Sequence, residues 1–358
     1  MAHVVADYVG QQCDAGWAVY VACPPGDLGR LAAAAGAVVI RWDAARQPGP
    51  STVAETVRLH GIISDVQPDV LHLHSAKAGL AGRLATRNHV PTFFTPHAWS
   101  WLTLEGRQRS LAETWERTGA RWTETVICVS SAEREQGLVA GVPPERMLVL
   151  ENDVDPDEIR AEATAGHADL RSALGIPEEA PLAVCPARLA PQKGQEDLLD
   201  GWEELLAARC PAAHLVLVGD GPGRSALTAR SRNLPRVWLV GSQPRSTTLG
   251  WMSTASVVVC PSRYEGMSLV PMEAAALGRP VVATDVSGMR SDIPAVARAL
   301  VPPGDSRAFA RAVYRYLDDP ALSRAGGAAA RAWMDGRPKS ERAGTRVLDV
   351  YRTAVSAR

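Results

Sequence analysis

The feature that most constrains this chain is an alternation, along almost its whole length, of short apolar β-branched runs with stretches of helical period. The strand-like runs of the first half are 17–22, 37–41, 69–73, 91–95, 125–129 and 147–150. Those of the second half are 182–185, 214–218, 237–240, 257–260, 281–284 and 299–301. Helical patterns lie between them, such as 52–66, 225–232, 269–277 and 306–317. The runs are continuously apolar rather than alternating with polar residues, as strands buried on both faces are. This predicts an α/β chain of doubly wound parallel sheets covered by helices. At 358 residues it is too long for one ordinary core. The pattern weakens once, across 151–180, where Asn152, Asp153, Pro156, Gly166, Gly175 and Pro177 replace apolar residues, with Pro181 just beyond. A linker is placed there. The expected division is an N-terminal domain over 1–155, a second domain over 156–338 and a final helix over 339–358. Such sheets bind ligands at the carboxyl ends of their strands, so two of them facing across a cleft would take a ligand between them.

The formal net charge of -1 disfavours nucleic acid as a partner, because a phosphate-backbone footprint leaves a basic surplus. Cys13, Cys23, Cys128, Cys185, Cys210 and Cys260 include no C-x-x-C pair, and Cys128 and Cys260 sit inside apolar runs. Reduced core cysteines in a cytoplasmic protein fit this better than zinc ligands. No leader peptide is visible, and the longest apolar candidate, 31–40, is too short to span a bilayer and contains Gly36. Residues 1–15 already read as a helix, through Val4, Val5, Tyr8, Val9 and Gln12. A doubly wound domain ordinarily opens with a strand and a turn before that helix, so the expectation is a first domain without its first strand.

The richest stretch is 261–285, PSRYEGMSLVPMEAAALGRPVVATD. A strand ends at Pro261, a loop carries Glu265 and Gly266, and a helix starts near Ser268–Leu269, with Pro271 suited to its first turn and Gly278 ending it. The amides of that helix N-terminus are thereby expected to face an anion such as a diphosphate, and Gly266 lets the backbone approach a ligand closely. Glu265 and Glu273 are placed to accept from hydroxyls; the alternative is two solvated acids. In ARLAPQKGQEDLL, Arg188 and Lys193 lie on a strand-to-helix loop, where two cations suit a departing diphosphate and a pair of idle surface charges is the competing reading. In VGDGPGRSAL, Gly219 and Gly221 make a tight turn near the nucleotide; its spacing fails the dinucleotide fingerprint, which argues against a dehydrogenase.

His97, in TPHAW, follows a strand directly, although a lone histidine is more often structural. His72 and His74 share one strand face, which suggests a metal only with a third ligand, and none is convincing. Asp153-Val154-Asp155 has the D-x-D form of metal-dependent transferases but sits in the expected linker and reads as a turn. The amphipathic 107–122 carries Leu111, Trp115 and Trp122 on one side, expected to pack in the core. Arg107, Arg109, Arg117 and Arg121 would instead allow peripheral contact with anionic lipid at the inner face of a membrane.

Together these stretches resemble the retaining family-4 glycosyltransferases of GT-B fold, built from two Rossmann-like domains. EGMSLVPMEAAALGRPVVAT, RLAPQKGQEDLL, VGDGPGRSAL, NDVD at 152–155 and VPPGD at 301–305 match that family in order, and HSAKAGLAGRLA and FFTPHAWSW resemble first-domain segments of its polysaccharide- and glycolipid-building members. The resemblance implies a hexosyltransferase acting from a UDP- or GDP-linked sugar on a glycan or lipid-linked acceptor, with retention and with neither metal nor cofactor. It implies that Arg188 and Lys193 hold the diphosphate and that Glu273 holds the ribose. Glu265 with the backbone at 266–269 would hold the sugar and its phosphate, His97 would touch the transferred sugar, and the last helix would return to the first domain. Against the family pattern, the expectation is a chain that starts at the helix after the first strand and its Gly-rich turn. The rivals are a GT-B nucleotide-sugar 2-epimerase, which needs no acceptor, and an inactive nucleotide-sugar-binding protein.

Overall fold

A computed structural model describes residues 1–45, 48–87, 89–166, 169–206, 209–289, 293–337 and 342–356. The extremes of the expected terminal helix, 339–341 and 357–358, lie outside the described residues. The chain divides into two compact units, Met1–Asp153 with Ser340–Arg358, and Val154–Lys339.

In the first unit, β1 (Tyr20–Cys23) and β2 (Val38–Arg41) pair in parallel. A second parallel sheet runs in the order β3 (Leu71–His74), β4 (Thr92–Thr95), β5 (Thr125–Cys128) and β6 (Met147–Val149). Among the described residues β1 and β3 each pair along one edge only. β1 starts three residues later than expected because the chain is still closing helix Ala2–Asp14: Gly16 takes φ +84° and Trp17 N–H donates to the Gln12 carbonyl at 3.0 Å. That helix buries Val4, Val5, Tyr8 and Val9, the face its period marks. Helix Ala343–Ser356 packs on it at Gly344, where a Cβ would lie 3.0 Å from the Tyr8 Cα. Helix Ser75–Thr86 closes on the sheet through Gly79 and Gly82, where added Cβ atoms would meet Phe94 at 2.4 Å and Leu73 at 2.3 Å.

Helix Gly106–Gly119 departs from expectation, because Leu111 does not enter the core and is 70% exposed. The buried side carries Glu116, paired with Arg83 at 2.6 Å, and Arg83 in turn lies 4.3 Å from the Phe94 ring centre. Leu111 precedes Glu116 by five residues, about 140° around a helix, so burying the ion pair turns Leu111 to water.

The second unit holds one parallel sheet in the order β12-β11-β10-β7-β8-β9. Its strands are β7 (Leu182–Pro186), β8 (His214–Val218), β9 (Val237–Gly241), β10 (Val257–Cys260), β11 (Val281–Thr284) and β12 (Arg298–Val301). Val184, Val216 and Val258 join Trp251 and Met272 on one face, while Ala183, Leu215 and Val257 join Trp202 and Phe309 on the other. Successive strand residues point to opposite faces, and here both faces are dry, so the strands read as unbroken apolar runs. The stretch expected as linker carries helix Pro156–Ala165, which buries Ile159 and Ala163 in this unit's core. Asp155 caps it, accepting from the amides of Asp157 at 2.9 Å and Glu158 at 3.1 Å. Asp153 accepts from the Ala343 amide at 3.2 Å. The D-x-D thus ties the chain in place.

Candidate functional site

In the second unit the strand order reverses between β7 and β10, the position where doubly wound sheets bind ligands. Lys193 lies on the loop after β7 and Glu265 on the loop after β10, and the structure joins them as an ion pair across that switch point. Ser262 Oγ donates to the same Glu265 carboxylate at 2.7 Å. The two loops touch backbone to backbone. Gly194 takes φ +63°, and a Cβ there would lie 2.0 Å from the Pro261 carbonyl oxygen. Arg263 N–H donates to the Gln192 carbonyl at 2.8 Å, and its guanidinium grips Asp197 at 3.0 Å. Arg188 is exposed on the β7 loop, and its carbonyl accepts from Gln195 at 2.9 Å.

Gly219 and Gly221 serve this loop. At φ +147° and +158°, Cβ atoms on them would lie 2.1 Å from the Ala187 carbonyl oxygen and 2.3 Å from that of Leu189. These glycines let the β8 turn clasp the Arg188 loop.

The helix carrying Glu273 spans Val270–Ala276, starting later than expected. The Ser268 amide, expected to face an anion, donates to the Gly288 carbonyl at 2.9 Å. Gly266 is buried, while Met267 and Leu269 are partly buried and pack against the core. Gly288 presses on Glu265, whose backbone carbon would lie 2.6 Å from an added Cβ. Glu273, 7% exposed, accepts from Arg245 Nη1 at 2.8 Å, and Arg245 also approaches Glu162 at 3.4 Å. Arg245 escaped the sequence reading. Its one signal was a cation at the start of the helix after β9, which only the packing of that helix relates to Glu273.

In the first unit His97 follows β4. The β3–β4 register sets His74 opposite Thr95 and His72 opposite Phe93. The His97 ring stacks on His74 at 5.2 Å, with Nε2 of His97 and Nδ1 of His74 3.0 Å apart, and His74 lies 4.0 Å from His72. His72 Nε2 meets Thr95 Oγ1 at 2.8 Å, and its Nδ1 meets the Tyr351 hydroxyl of the terminal helix. Burial holds all three imidazoles below their ordinary pKa, His74 down to about 4, so the cluster is neutral near pH 7. Three histidines do converge, but they stack and hydrogen-bond to one another, and no group of three ligating side chains among the described residues is arranged around a metal position.

His97 takes φ +52° and Ala98 +85°, two successive left-handed residues that are not glycine. Each costs on the order of 1–2 kcal/mol, so other contacts must hold them. Glu133 supplies those contacts. Its Oε1 accepts from the Ala98 amide at 2.6 Å and its Oε2 from the Val129 amide at 2.8 Å. Its carbonyl accepts from Trp99 Nε1 at 2.7 Å. Burial pushes the Glu133 carboxyl up to about 7 against the pull of the two amides. The sequence reading passed over Glu133, although Ser130-x-x-Glu133 is a helix-start pattern and Ser130 Oγ accepts from the Glu133 amide at 3.1 Å.

Known proteins match both units. The family model described as "Glycosyl transferase 4-like domain" covers residues 1–153, and "Glycosyl transferases group 1" covers residues 180–319. A D-inositol 3-phosphate glycosyltransferase of Xylanimonas cellulosilytica is 31% identical over 314 residues, which are 81% of this chain and 73% of that protein. A GDP-mannose-dependent monoacylated alpha-(1-6)-phosphatidylinositol monomannoside mannosyltransferase of Corynebacterium glutamicum is 25% identical over 88% of this chain and 84% of its own length. Among solved structures, Anabaena HepE in complex with UDP-glucose superposes with a TM-score of 0.78 at 20% identity, covering 100% of this chain and 96% of that one. Sucrose-phosphate synthase of Thermosynechococcus elongatus gives 0.79 at 23% identity, covering 99% and 93%. No helix among the described residues is long and apolar enough to cross a membrane.

Proposed function

The chain belongs to the group 1 glycosyltransferases and has the GT-B fold, and on that premise we propose that it moves a hexose from a UDP- or GDP-linked donor to a hydroxyl of a glycan or lipid-linked acceptor, with retention of configuration. The observation that carries this reading is the Lys193–Glu265–Ser262 cluster at the switch point between β7 and β10. A cation held by a partner carboxylate is a ready site for an anionic leaving group, which takes over the cation as it binds. On this reading Lys193 and Arg188 hold the diphosphate, and Glu265 with the backbone at 266–269 orients the sugar. Glu273 and its partner Arg245 meet the ribose, and His97 touches the transferred sugar. The acceptor oxygen forms its bond to the anomeric carbon on the face from which the diphosphate departs. The carbon–oxygen bond to that diphosphate breaks, and the acceptor proton passes to the leaving phosphate. Protein cations carry the developing charge, so the reaction asks for neither metal nor cofactor. A lipid-linked acceptor would bring the protein to a membrane surface, with Arg107, Arg109, Arg117 and Arg121, all exposed, as the lipid contacts.

The test is nucleoside-diphosphate release from a panel of nucleotide sugars, with a chelator present and a mixed lipid-linked acceptor extract added. Acceptor-stimulated release from one donor supports the reading and names the nucleotide and sugar. Donor consumption without acceptor would replace it with epimerisation. Donor binding by calorimetry with no turnover across a full acceptor panel would replace it with a binding protein.

A further inference from the structure

Glu133 is 1% exposed, and among the described residues both of its carboxylate oxygens are taken by backbone amides, with no cation beside them. An ion buried in this way is costly, and simple structural carboxylates are normally paired with a cation or solvated. One of the amides belongs to Ala98, the second of two successive left-handed residues, and the first of the two is His97. The Trp99 indole, on the far side of the same loop, also ends on Glu133. Helix Ser131–Val139 presses on that indole, since a Cβ on Gly137 would lie 2.8 Å from the Trp99 ring. The His97 ring is fixed separately, through Nε2, by His74. Its Nδ1 is the ring atom left with no partner among the described residues.

We propose that Glu133 is a positioning residue: its carboxylate clamps the Ala98 amide, holds the 97–98 backbone in its left-handed path and so aims the His97 ring at the sugar. Val129 anchors the other carboxylate oxygen to the end of β5, so the clamp ties the loop after β4 to the neighbouring strand. The His97 backbone direction is then set by the sheet rather than by the loop's own preference. The kinetic arm of the test rests on the transferase reading, and the spectroscopic arm does not.

Glu133→Gln keeps the volume, but its single amide oxygen can accept from only one of the two backbone N–H groups, and its NH2 end faces the other as donor against donor, so the tie between Ala98 and Val129 is broken. The expected result is a fall in kcat of about ten- to hundredfold, the scale of a misplaced reacting group, with donor affinity by calorimetry changed by less than about twofold. Adding Ala98→Gly should restore most of that loss, because glycine takes a left-handed φ without a clamp. In histidine-labelled protein, the amide and ring resonances of His97 should move in Glu133→Gln, while those of His60 and His89 in the same unit stay. If Glu133→Gln does not fold, Glu133→Asp, whose carboxylate falls one methylene short of Ala98, is read in the same way. Wild-type kcat with unmoved His97 resonances overturns the proposal, and so does a loss of kcat that Ala98→Gly fails to recover. If the wild-type protein transfers nothing from any donor, the transferase reading falls, and the His97 resonances still decide the clamp.

Discussion

The two units share one architecture and differ in how completely each closes its core. The second unit has six parallel strands in one sheet, with an apolar cluster on each face. The first divides its strands into a pair and a four-stranded sheet. Its β2 leaves Val38 and Val39 exposed, and Tyr20, Val53, Val57, Leu111 and Val139 of the same unit are also large exposed apolar residues. Among the described residues of the second unit, Val296 alone joins that set. Their candidate sites differ in kind as well. The second unit pairs charge with charge: Lys193 with Glu265 on loops that touch through Gly194, and Arg245 with Glu273 between two helices. The first unit gathers neutral imidazoles and spends a buried carboxylate on holding a loop. Paired charges can be exchanged for an anionic ligand, whereas a neutral, stacked cluster can offer only direction and hydrogen bonds.

The contrast breaks first at Lys193. If the second unit works through its cations, Lys193→Ala should lower kcat by about 10²–10³, the scale of losing one charge-stabilising donor. It should also leave Glu265, 8% exposed, without its cation. Nucleoside-diphosphate release measures the first effect. A variant with wild-type turnover would show that the ion pair is structural, and the two sites would then no longer differ in function.

Glycine separates the units next. Gly194→Ala should destabilise by about 3 kcal/mol, because its Cβ meets a backbone carbonyl and its φ is left-handed. Gly61, exposed within helix Thr52–Val66 of the first unit, has nothing within 4 Å of an added Cβ. Gly61→Ala should therefore stabilise by about 0.5–1 kcal/mol. Denaturant midpoints with unchanged slopes would read both, and equal shifts of the same sign would show that loop contact at Gly194 does not matter.

These particulars also mark what could be read from the chain itself. Buried strands were legible because both faces of a covered parallel sheet demand apolar side chains, so Val257–Cys260 is four apolar residues in a row. Glu265, Lys193 and His97 could be singled out as candidates because each lies on a loop that follows a strand. Arg245 and Glu133 were not, since each acts on a partner that only packing supplies: Glu273 is 28 residues from Arg245, and Ala98 is 35 from Glu133. Leu111 was misplaced because a helix with two possible inner faces was turned by a buried ion pair, Arg83–Glu116, that periodicity cannot weigh against a leucine.

Acid should act on the first unit. An imidazole whose folded pKa lies below its free value stabilises fully above that free value and loses the contribution as pH falls through the folded pKa. For His74 the window runs from 6.5 down to about 4, and His72 and His97 are lowered as well. Glu133 runs the other way: its folded value of about 7 lies above the free 4.5, so its contribution is present below 4.5 and fades as pH rises through about 7. Glu116 and Asp153 are raised by burial as Glu133 is, whereas Glu55 is lowered by Lys77, so the loss on acidification should centre on the histidine strands β3 and β4. Peptide-resolved hydrogen exchange, corrected for intrinsic rates, should show β3 and β4 losing protection from about pH 6.5 to about pH 4 while β10 and β11, which carry no histidine, keep theirs. Equal losses in both units would remove the histidine cluster as the cause.

The smallest expected effect sharpens the comparison most cleanly, because it pits one apolar side chain against another. Val258 sits in the centre of the second unit's sheet at 0% exposure, and Leu111 stands on the first unit's surface at 70%. Val258→Ala removes two buried methyl groups from a packed layer and should cost about 1–3 kcal/mol. Leu111→Ser removes a larger side chain that touches mostly water, and unfolding free energy should change by less than about 0.5 kcal/mol. A Leu111→Ser cost matching that of Val258→Ala would mean that the helix packs Leu111 after all, and that the Arg83–Glu116 pair does not set its rotation. A neutral stability result leaves exposed Leu111 and its neighbouring arginines for the acceptor side to use. In that case the same variant, stable but with weaker binding to anionic lipid vesicles, would assign the first unit's uncovered apolar surface to the membrane rather than to an unfinished core.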